Sequence, residues 1–147
     1  MESTVHTDMT PPYTFEPHVR LRDIDRNGHV NHPVYAEYFG EARAGYYRTV
    51  LDEDMSEAKT VIVHLSIDYV KPVEYTDPII VEMTVSEMGN SSLTMEYKIV
   101  DQAGGLRATA QTVQVVTDKA GANRIPNAWR KAIREYEQAT RKDGTGL

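Results

Sequence analysis

The run Arg22-Asp23-Ile24-Asp25-Arg26-Asn27-Gly28-His29-Val30-Asn31-His32-Pro33-Val34-Tyr35 decides how this chain is read. It gathers carboxylates, a turn glycine, two histidines and two asparagines at the entry of a long helix. Pro33 stands where a first helical residue belongs: its fixed φ suits that position and its missing N–H costs nothing there. Beyond it, Tyr35, Phe39, Ala42 and Tyr46 recur at helical spacing, which predicts a helix over about Pro33–Leu51 with one apolar stripe. A helix N-terminus offers free backbone N–H groups and the positive end of the dipole, which suit a developing oxyanion. A carboxylate beside it can attack, or can deprotonate a water.

Upstream of that run, Tyr13 to Leu21 mixes β-formers with Pro17 and predicts a first strand, bent or at an edge. Downstream, a polar connection from Asp52 to Lys59 leads to four strands. Val61, Val63, Leu65, Ile67 and Tyr69 alternate with Ile62, His64, Ser66 and Asp68. Ile79, Val81, Met83 and Val85 alternate with Glu82, Thr84 and Ser86, and Leu93, Met95, Tyr97 and Ile99 with Thr94, Glu96 and Lys98. Leu106, Ala108 and Ala110 begin a fourth alternation whose phase blurs toward Val113, Val115 and Val116, which suggests a bulge. Such alternation marks half-buried antiparallel strands. Lys71-Pro72, Gly89-Asn90 and Gly104-Gly105 break the chain between them. After Pro126, Trp129, Ile133 and Tyr136 predict a short terminal amphipathic helix. One antiparallel sheet and one long helix must bury each other, so the fold class is α+β: a curved sheet of about five strands wrapped around a central helix.

Composition narrows the function. At 147 residues the chain fits one domain, with residues 1–12 read as a disordered or loosely docked tail, 13–143 as the domain and 144–147 as a loose end. A formal charge of -6 argues against a nucleic-acid partner, which needs a basic face. With no cysteine there is no thiolate nucleophile, disulfide or Cys-based zinc site, and a reducing cytoplasm is compatible. No apolar run approaches ~18 residues, so no membrane span is expected, and the polar start is not a secretory signal.

The motif Asp25-x-x-Gly28-His29-Val30-Asn31-x-x-x-Tyr35, followed by Tyr38-Phe39-x-Glu41-Ala42-Arg43, resembles the hotdog-fold acyl-CoA thioesterases of the 4-hydroxybenzoyl-CoA thioesterase type. Asp68-Tyr69-x-x-Pro72 and Asp77-x-Ile79-x-Val81 are similar to that family's later strands, and the resemblance runs from about Tyr13 to Val116. It implies a hotdog fold and hydrolysis of CoA or acyl-carrier-protein thioesters, with no cofactor and no metal. It implies a homodimer or homotetramer built by edge-to-edge sheet pairing, with active sites at the subunit interface. By the same resemblance Asp25 matches the catalytic carboxylate, Gly28 the turn glycine, and His32 the residue whose backbone N–H polarises the thioester carbonyl. His32 stands where the commoner wording of the motif has a second Asn.

Each of these residues also has a plainer reading. Asp25 can cap its own turn, and Asp23, two residues earlier, is a second candidate base. His29 and Asn31 are supporting candidates whose plainer role is to fix the turn and the helix entry. Asp25, His29 and His32, completed by Glu37 or Glu41, form an alternative metal set. Tyr35 and Glu41 flank the apolar stripe, and Glu41 can simply pair with Arg43 or Arg48. Ser91 and Ser92 form a turn or touch pantetheine; Arg22, Lys71, Lys98 and Arg107 are candidates for the CoA phosphates. The acyl group is expected in an apolar channel between helix and sheet. Two rivals remain: a non-catalytic acyl-CoA-binding module, and a hotdog enoyl-thioester hydratase or dehydratase, whose Asp-x-Asn-Pro-x-x-His spacing this motif lacks.

Overall fold

The four alternating stretches of the sequence become four strands of one antiparallel sheet. A computed structural model describes residues 12–53, 59–118 and 120–140. The elements are β1 (Tyr13–Phe15), α1 (His32–Val50), β2 (Thr60–Tyr69), β3 (Ile79–Met88), β4 (Ser92–Asp101), β5 (Leu106–Asp118), β6 (Gly121–Ala122) and α2 (Asn127–Thr140). The sheet runs in the order β1-β3-β4-β5-β2, with the two-residue β6 paired to β5. The chain therefore leaves one edge at β1 and returns at the opposite edge as β2, and α1 makes that crossing. This is the hotdog arrangement, with α2 as the short terminal helix. The expected loose ends lie outside the described residues, apart from Pro12.

The helix and the sheet bury one continuous core. Val34, Tyr35, Tyr38, Phe39, Ala42, Tyr46 and Tyr47 turn inward from α1 and meet Val81, Met83, Val85, Leu93, Met95, Tyr97 and Ile99. Phe39 and Tyr97 pack with ring centroids 5.0 Å apart. Each such aromatic contributes about 1.5–3 kcal/mol by leaving water. Polar groups caught inside find partners: the Tyr47 hydroxyl donates to Gln114, the hydroxyls of Tyr97 and Thr112 lie 2.7 Å apart, and Arg43 donates to the Tyr97 oxygen at 3.2 Å. The expected apolar channel between helix and sheet is thus corrected: large aromatic side chains and their hydrogen bonds fill that space.

Three local expectations change as well. The first strand ends at Phe15, not Leu21; Pro17 removes a ladder donor, and the chain closes a one-turn 3-10 helix at Leu21–Asp23 instead. The bulge expected near Val113 lies on the facing strand. Ile62 pairs with Gln114 and His64 with Val113, so Val63 is the extra residue and Val61 moves to the face of His64 and Ser66. A second bulge falls at Arg107, because Ile99 pairs with Ala108 and Val100 with Leu106.

The two sheet edges differ. β1 has three residues, whereas β2 has ten and, among the described residues, no strand beyond it. Val61, Ile62, Val63 and Leu65 on β2 are 49%, 45%, 59% and 43% exposed.

Candidate active site

The turn that carries Asp25 is built by its own backbone. The Gly28 N–H donates to the Asp25 carbonyl at 3.1 Å and the Asp25 N–H to the His29 carbonyl at 2.8 Å. Gly28 closes the turn at φ +81°, a left-handed conformation that costs a β-carbon-bearing residue about 1–2 kcal/mol. Asp25 Oδ1 accepts the N–H of Asn27 at 2.9 Å and of His29 at 3.2 Å. Among the described residues Oδ2 has no hydrogen-bond partner. The plain reading of Asp25 as a turn cap therefore holds for one oxygen.

Asp23 is settled differently. It is buried, and its Oδ2 accepts the Arg20 N–H and the Tyr38 hydroxyl, both at 2.9 Å. Burial pushes its carboxyl up, but those two hydrogen bonds and the Arg20 and Arg22 charges outweigh burial and leave it below the ordinary aspartate value. The second candidate base is a structural acceptor that ties the 3-10 turn to α1.

Asn31 is the N-cap of α1, and its Oδ1 accepts the His32 N–H at 3.1 Å. The His32 donor thus points out of the helix end and is held by a neighbouring side chain. The imidazole of His32 lies against Tyr69, with centroids 4.5 Å apart and planes at 31°. The Tyr69 hydroxyl donates to the His32 carbonyl at 3.1 Å, and Tyr35 meets the same ring edge-on at 4.8 Å. Burial raises the Tyr35 hydroxyl above the ordinary tyrosine value, against a lowering hydrogen bond from the Val73 backbone.

Asp25, His29, His32, Tyr35, Tyr69 and Lys71 line one cavity of about 320 Å³. A carboxylate and a helix N-terminus facing one space can receive an acyl group whose carbonyl oxygen gains negative charge. Among the described residues no group of three or more His, Asp or Glu side chains could hold a metal ion.

Other expected residues lie elsewhere. Glu41 is exposed and, among the described residues, pairs with neither Arg43 nor Arg48. Ser91 and Ser92 form the β3–β4 hairpin, where the Gly89 N–H donates to the Ser92 carbonyl at 2.8 Å. Ser92 stands opposite Val115 on β5, whereas Tyr69 stands opposite Ala108, about 24 Å away at strand rise. Within this chain the serines and Asp25 are not brought together. Arg107 is corrected outright: its guanidinium is turned inward onto Asp77 and Asp101 and is not free to meet phosphates. Lys71 stays exposed at the cavity. Tyr69 lines the candidate site, and sequence reading did not single it out. Its signal was the Asp68-Tyr69-x-x-Pro72 piece of the resemblance, where Tyr69 also reads as an ordinary strand position.

The sheet, the crossing helix and the short terminal helix define a hotdog domain, with the carboxylate turn at the helix entry. The chain belongs to the thioesterase-like superfamily, whose sequence model matches residues 19–134. It is 28% identical over 129 residues to the acyl-CoA thioesterase YbgC of Haemophilus influenzae, covering 83% of this chain and 91% of that protein. It is similar to a crystal structure of a Thermus thermophilus thioesterase complexed with coenzyme A and Zn, with 30% identity, TM-score 0.79, and coverage of 84% and 92%. A Staphylococcus aureus protein solved in complex with CoA shares the fold at TM-score 0.81 and 14% identity, over 89% of this chain and 87% of that one.

Proposed function

We propose that this protein hydrolyses acyl thioesters of CoA or of acyl carrier protein to a free carboxylic acid and a thiol, as a cytoplasmic enzyme of the 4-hydroxybenzoyl-CoA thioesterase type. The observation that carries the reading is that the Asp25 carboxylate and the N-terminal end of α1 line the same cavity. Asp25 Oδ1 is tied down by two turn N–H groups, so Oδ2 is the atom that acts. It takes a proton from a water that attacks the thioester carbon, or attacks that carbon itself and yields an anhydride that water then opens. The carbonyl oxygen gains charge at the His32 N–H, which becomes free when the Asn31 carboxamide rotates away. In the water route the adduct collapses with cleavage of the C–S bond, and the thiolate takes the proton held by Asp25. In the direct route the C–S bond breaks as the anhydride forms; the thiolate leaves and takes a proton from solvent, and water then opens the anhydride. The superfamily membership and the similarity to an acyl-CoA thioesterase support this chemistry.

The test is thiol release from a panel of acyl-CoAs by wild type and Asp25→Asn. The amide keeps the shape and, through its own oxygen, the turn bonds. Turnover should fall at least ~10²-fold, the lower range for loss of a general base. An unchanged kcat in the folded variant refutes the assignment.

Assembly belongs to the same reading. A ten-residue edge with apolar side chains on both faces is a liability in a monomer, and pairing with the same edge of a second copy covers it. A dimer or a dimer of dimers is expected in solution. Light scattering at micromolar concentration checks this, and a monodisperse monomer contradicts it.

A further inference from the structure

Arg107 sits at the β5 bulge, and both halves of the residue act on the connection between β2 and β3. Its carbonyl accepts the Val70 N–H at 2.9 Å and the Lys71 N–H at 3.1 Å, which ends β2. Its side chain is only 10% exposed. Nε donates to Asp101 Oδ2 at 3.0 Å; Nη1 donates to Asp77 Oδ2 at 2.9 Å and to the Pro72 carbonyl at 2.7 Å. The two carboxylates are themselves anchored. Asp101 Oδ1 accepts the Gly105 N–H at 2.7 Å and the Ala103 N–H at 3.0 Å, and Asp77 Oδ2 accepts the Glu74 N–H at 2.8 Å.

The residues between these anchors touch the candidate site. Val73 is buried, its carbonyl accepts the Val30 N–H at 2.7 Å, and its backbone is hydrogen-bonded to the Tyr35 hydroxyl. Glu74 pairs with His29 in an isolated antiparallel bridge. His29 in turn gives its N–H to Asp25 Oδ1. A continuous set of hydrogen bonds therefore runs from the guanidinium, through 72–77, to the turn that holds the carboxylate. Only a planar fork with separate donors spans both aspartates and the Pro72 carbonyl; an ammonium is a single point charge on a flexible stem.

We propose that Arg107 is a positioning residue for the reaction at Asp25, acting through residues 72–77 and making no contact with the substrate. The proposal rests on the hydrolase reading above. A guanidinium already satisfied by two carboxylates attracts phosphates poorly, so its loss acts on the placement of Asp25 and leaves nucleotide binding alone.

The experiment uses Arg107→Lys and, because the buried change can impair folding, Asp101→Asn as a milder break of the same clamp. Folding is checked by circular dichroism. Two readouts follow. Amide hydrogen exchange at Val30 should accelerate in both variants while exchange at Phe39 in the helix stays as in wild type. Turnover is measured on an acyl-CoA and on the corresponding acyl-pantetheine, which lacks the nucleotide phosphates. The kcat should fall on the order of 10-fold on both substrates, within the ~10²-fold that a misplacement of 1 Å costs, with KM nearly unchanged. A loss that appears only as a raised KM for acyl-CoA overturns the proposal and makes Arg107 a phosphate contact. Unchanged Val30 exchange, or faster exchange with unchanged kcat, overturns it equally. Wild-type failure to hydrolyse either thioester refutes the hydrolase reading and any catalytic role for Arg107 with it, while Val30 exchange separately decides whether the clamp holds the turn.

Discussion

The two ends of α1 use the same kinds of side chain to opposite effect. At the C-terminal end Tyr46 and Tyr47 are fully buried, and each hydroxyl has an acceptor: Glu137 Oε2 at 2.6 Å for Tyr46, and Gln114 for Tyr47. At the N-terminal end Asp25, His32 and Tyr69 face a cavity, and Asp25 keeps one oxygen without a hydrogen-bond partner among the described residues. Polar groups that are buried and matched specify packing. Polar groups placed at a cavity with spare valence are available to a ligand. The same contrast separates Asp23 from Asp25, two residues apart: one is spent on Tyr38 and Arg20, the other only on its own turn.

The largest effect that sharpens this contrast is expected at His32. If the backbone is the working part, His32→Asn retains most activity. His32→Pro removes the N–H and should cost roughly 10²–10³-fold in kcat, the scale for losing one oxyanion donor. Circular dichroism must show that the helix entry survives, since Asn31 also caps it. If His32→Asn abolishes turnover in a folded protein, the imidazole itself is needed and the backbone-donor assignment falls.

At the opposite end the expected effect is on stability. Glu137 Oε2 accepts the Tyr46 hydroxyl at 2.6 Å and the Val85 N–H at 3.0 Å. The bulge at Ser86, between the pairs Val85–Met95 and Glu87–Thr94, disrupts the ladder beside that amide. Glu137→Ala strands both donors in the core at about 1–3 kcal/mol each. Urea unfolding should report a loss of roughly 3 kcal/mol or more, with kcat per folded molecule close to wild type. Glu137→Gln keeps an acceptor and should cost much less. A large fall in kcat for folded Glu137→Ala would show that the two ends are not independent.

How far each end was legible in the sequence follows from the same physics. Periodicity exposes residues that repeat, so β2 to β5 and both helices were readable, as was the inward stripe of α1 from Tyr35, Phe39, Ala42 and Tyr46. The Asp25 turn was readable because its spacing is local. Partnerships across long separations left no local trace. Glu137 meets Tyr46 91 residues away, and Arg107 meets Pro72 35 residues away. Arg107 read as a cation available to the CoA phosphates because a bulge, not the strand period, turns it inward. The bulge at Val63 escaped for a related reason: Val61, Ile62 and Val63 are apolar at three consecutive positions, so either phase of the alternation looks apolar there.

The smallest expected effect concerns acid, and it separates the ends by what holds them. The wall of the N-terminal end is held by charge. The Asp77 carboxyl lies below the ordinary value of 3.8 because it accepts the Glu74 N–H and pairs with Arg107. Asp101 is held below it by the Gly105 N–H and by Arg107. A carboxyl whose folded value is depressed binds its proton more readily in the unfolded chain. Its contribution is therefore complete above the unfolded value and is lost as pH falls through the folded one. The C-terminal end rests on burial of Tyr47, Leu51, Trp129 and Ile133 and on the Glu137 carboxyl, which keeps a carbonyl acceptor when protonated; protonation of Asp77 and Asp101 touches neither. As pH is lowered from about 7 toward 3, protection of the Val30 amide, normalised for the intrinsic exchange rate, should fall before that of Tyr47. The stability gap between wild type and Asp101→Asn should hold at neutral pH and shrink below about pH 4, as the wild-type carboxyl takes up its proton. A gap that widens in acid, or Tyr47 losing protection first, would show that the charged clamp is not what holds the wall of the site.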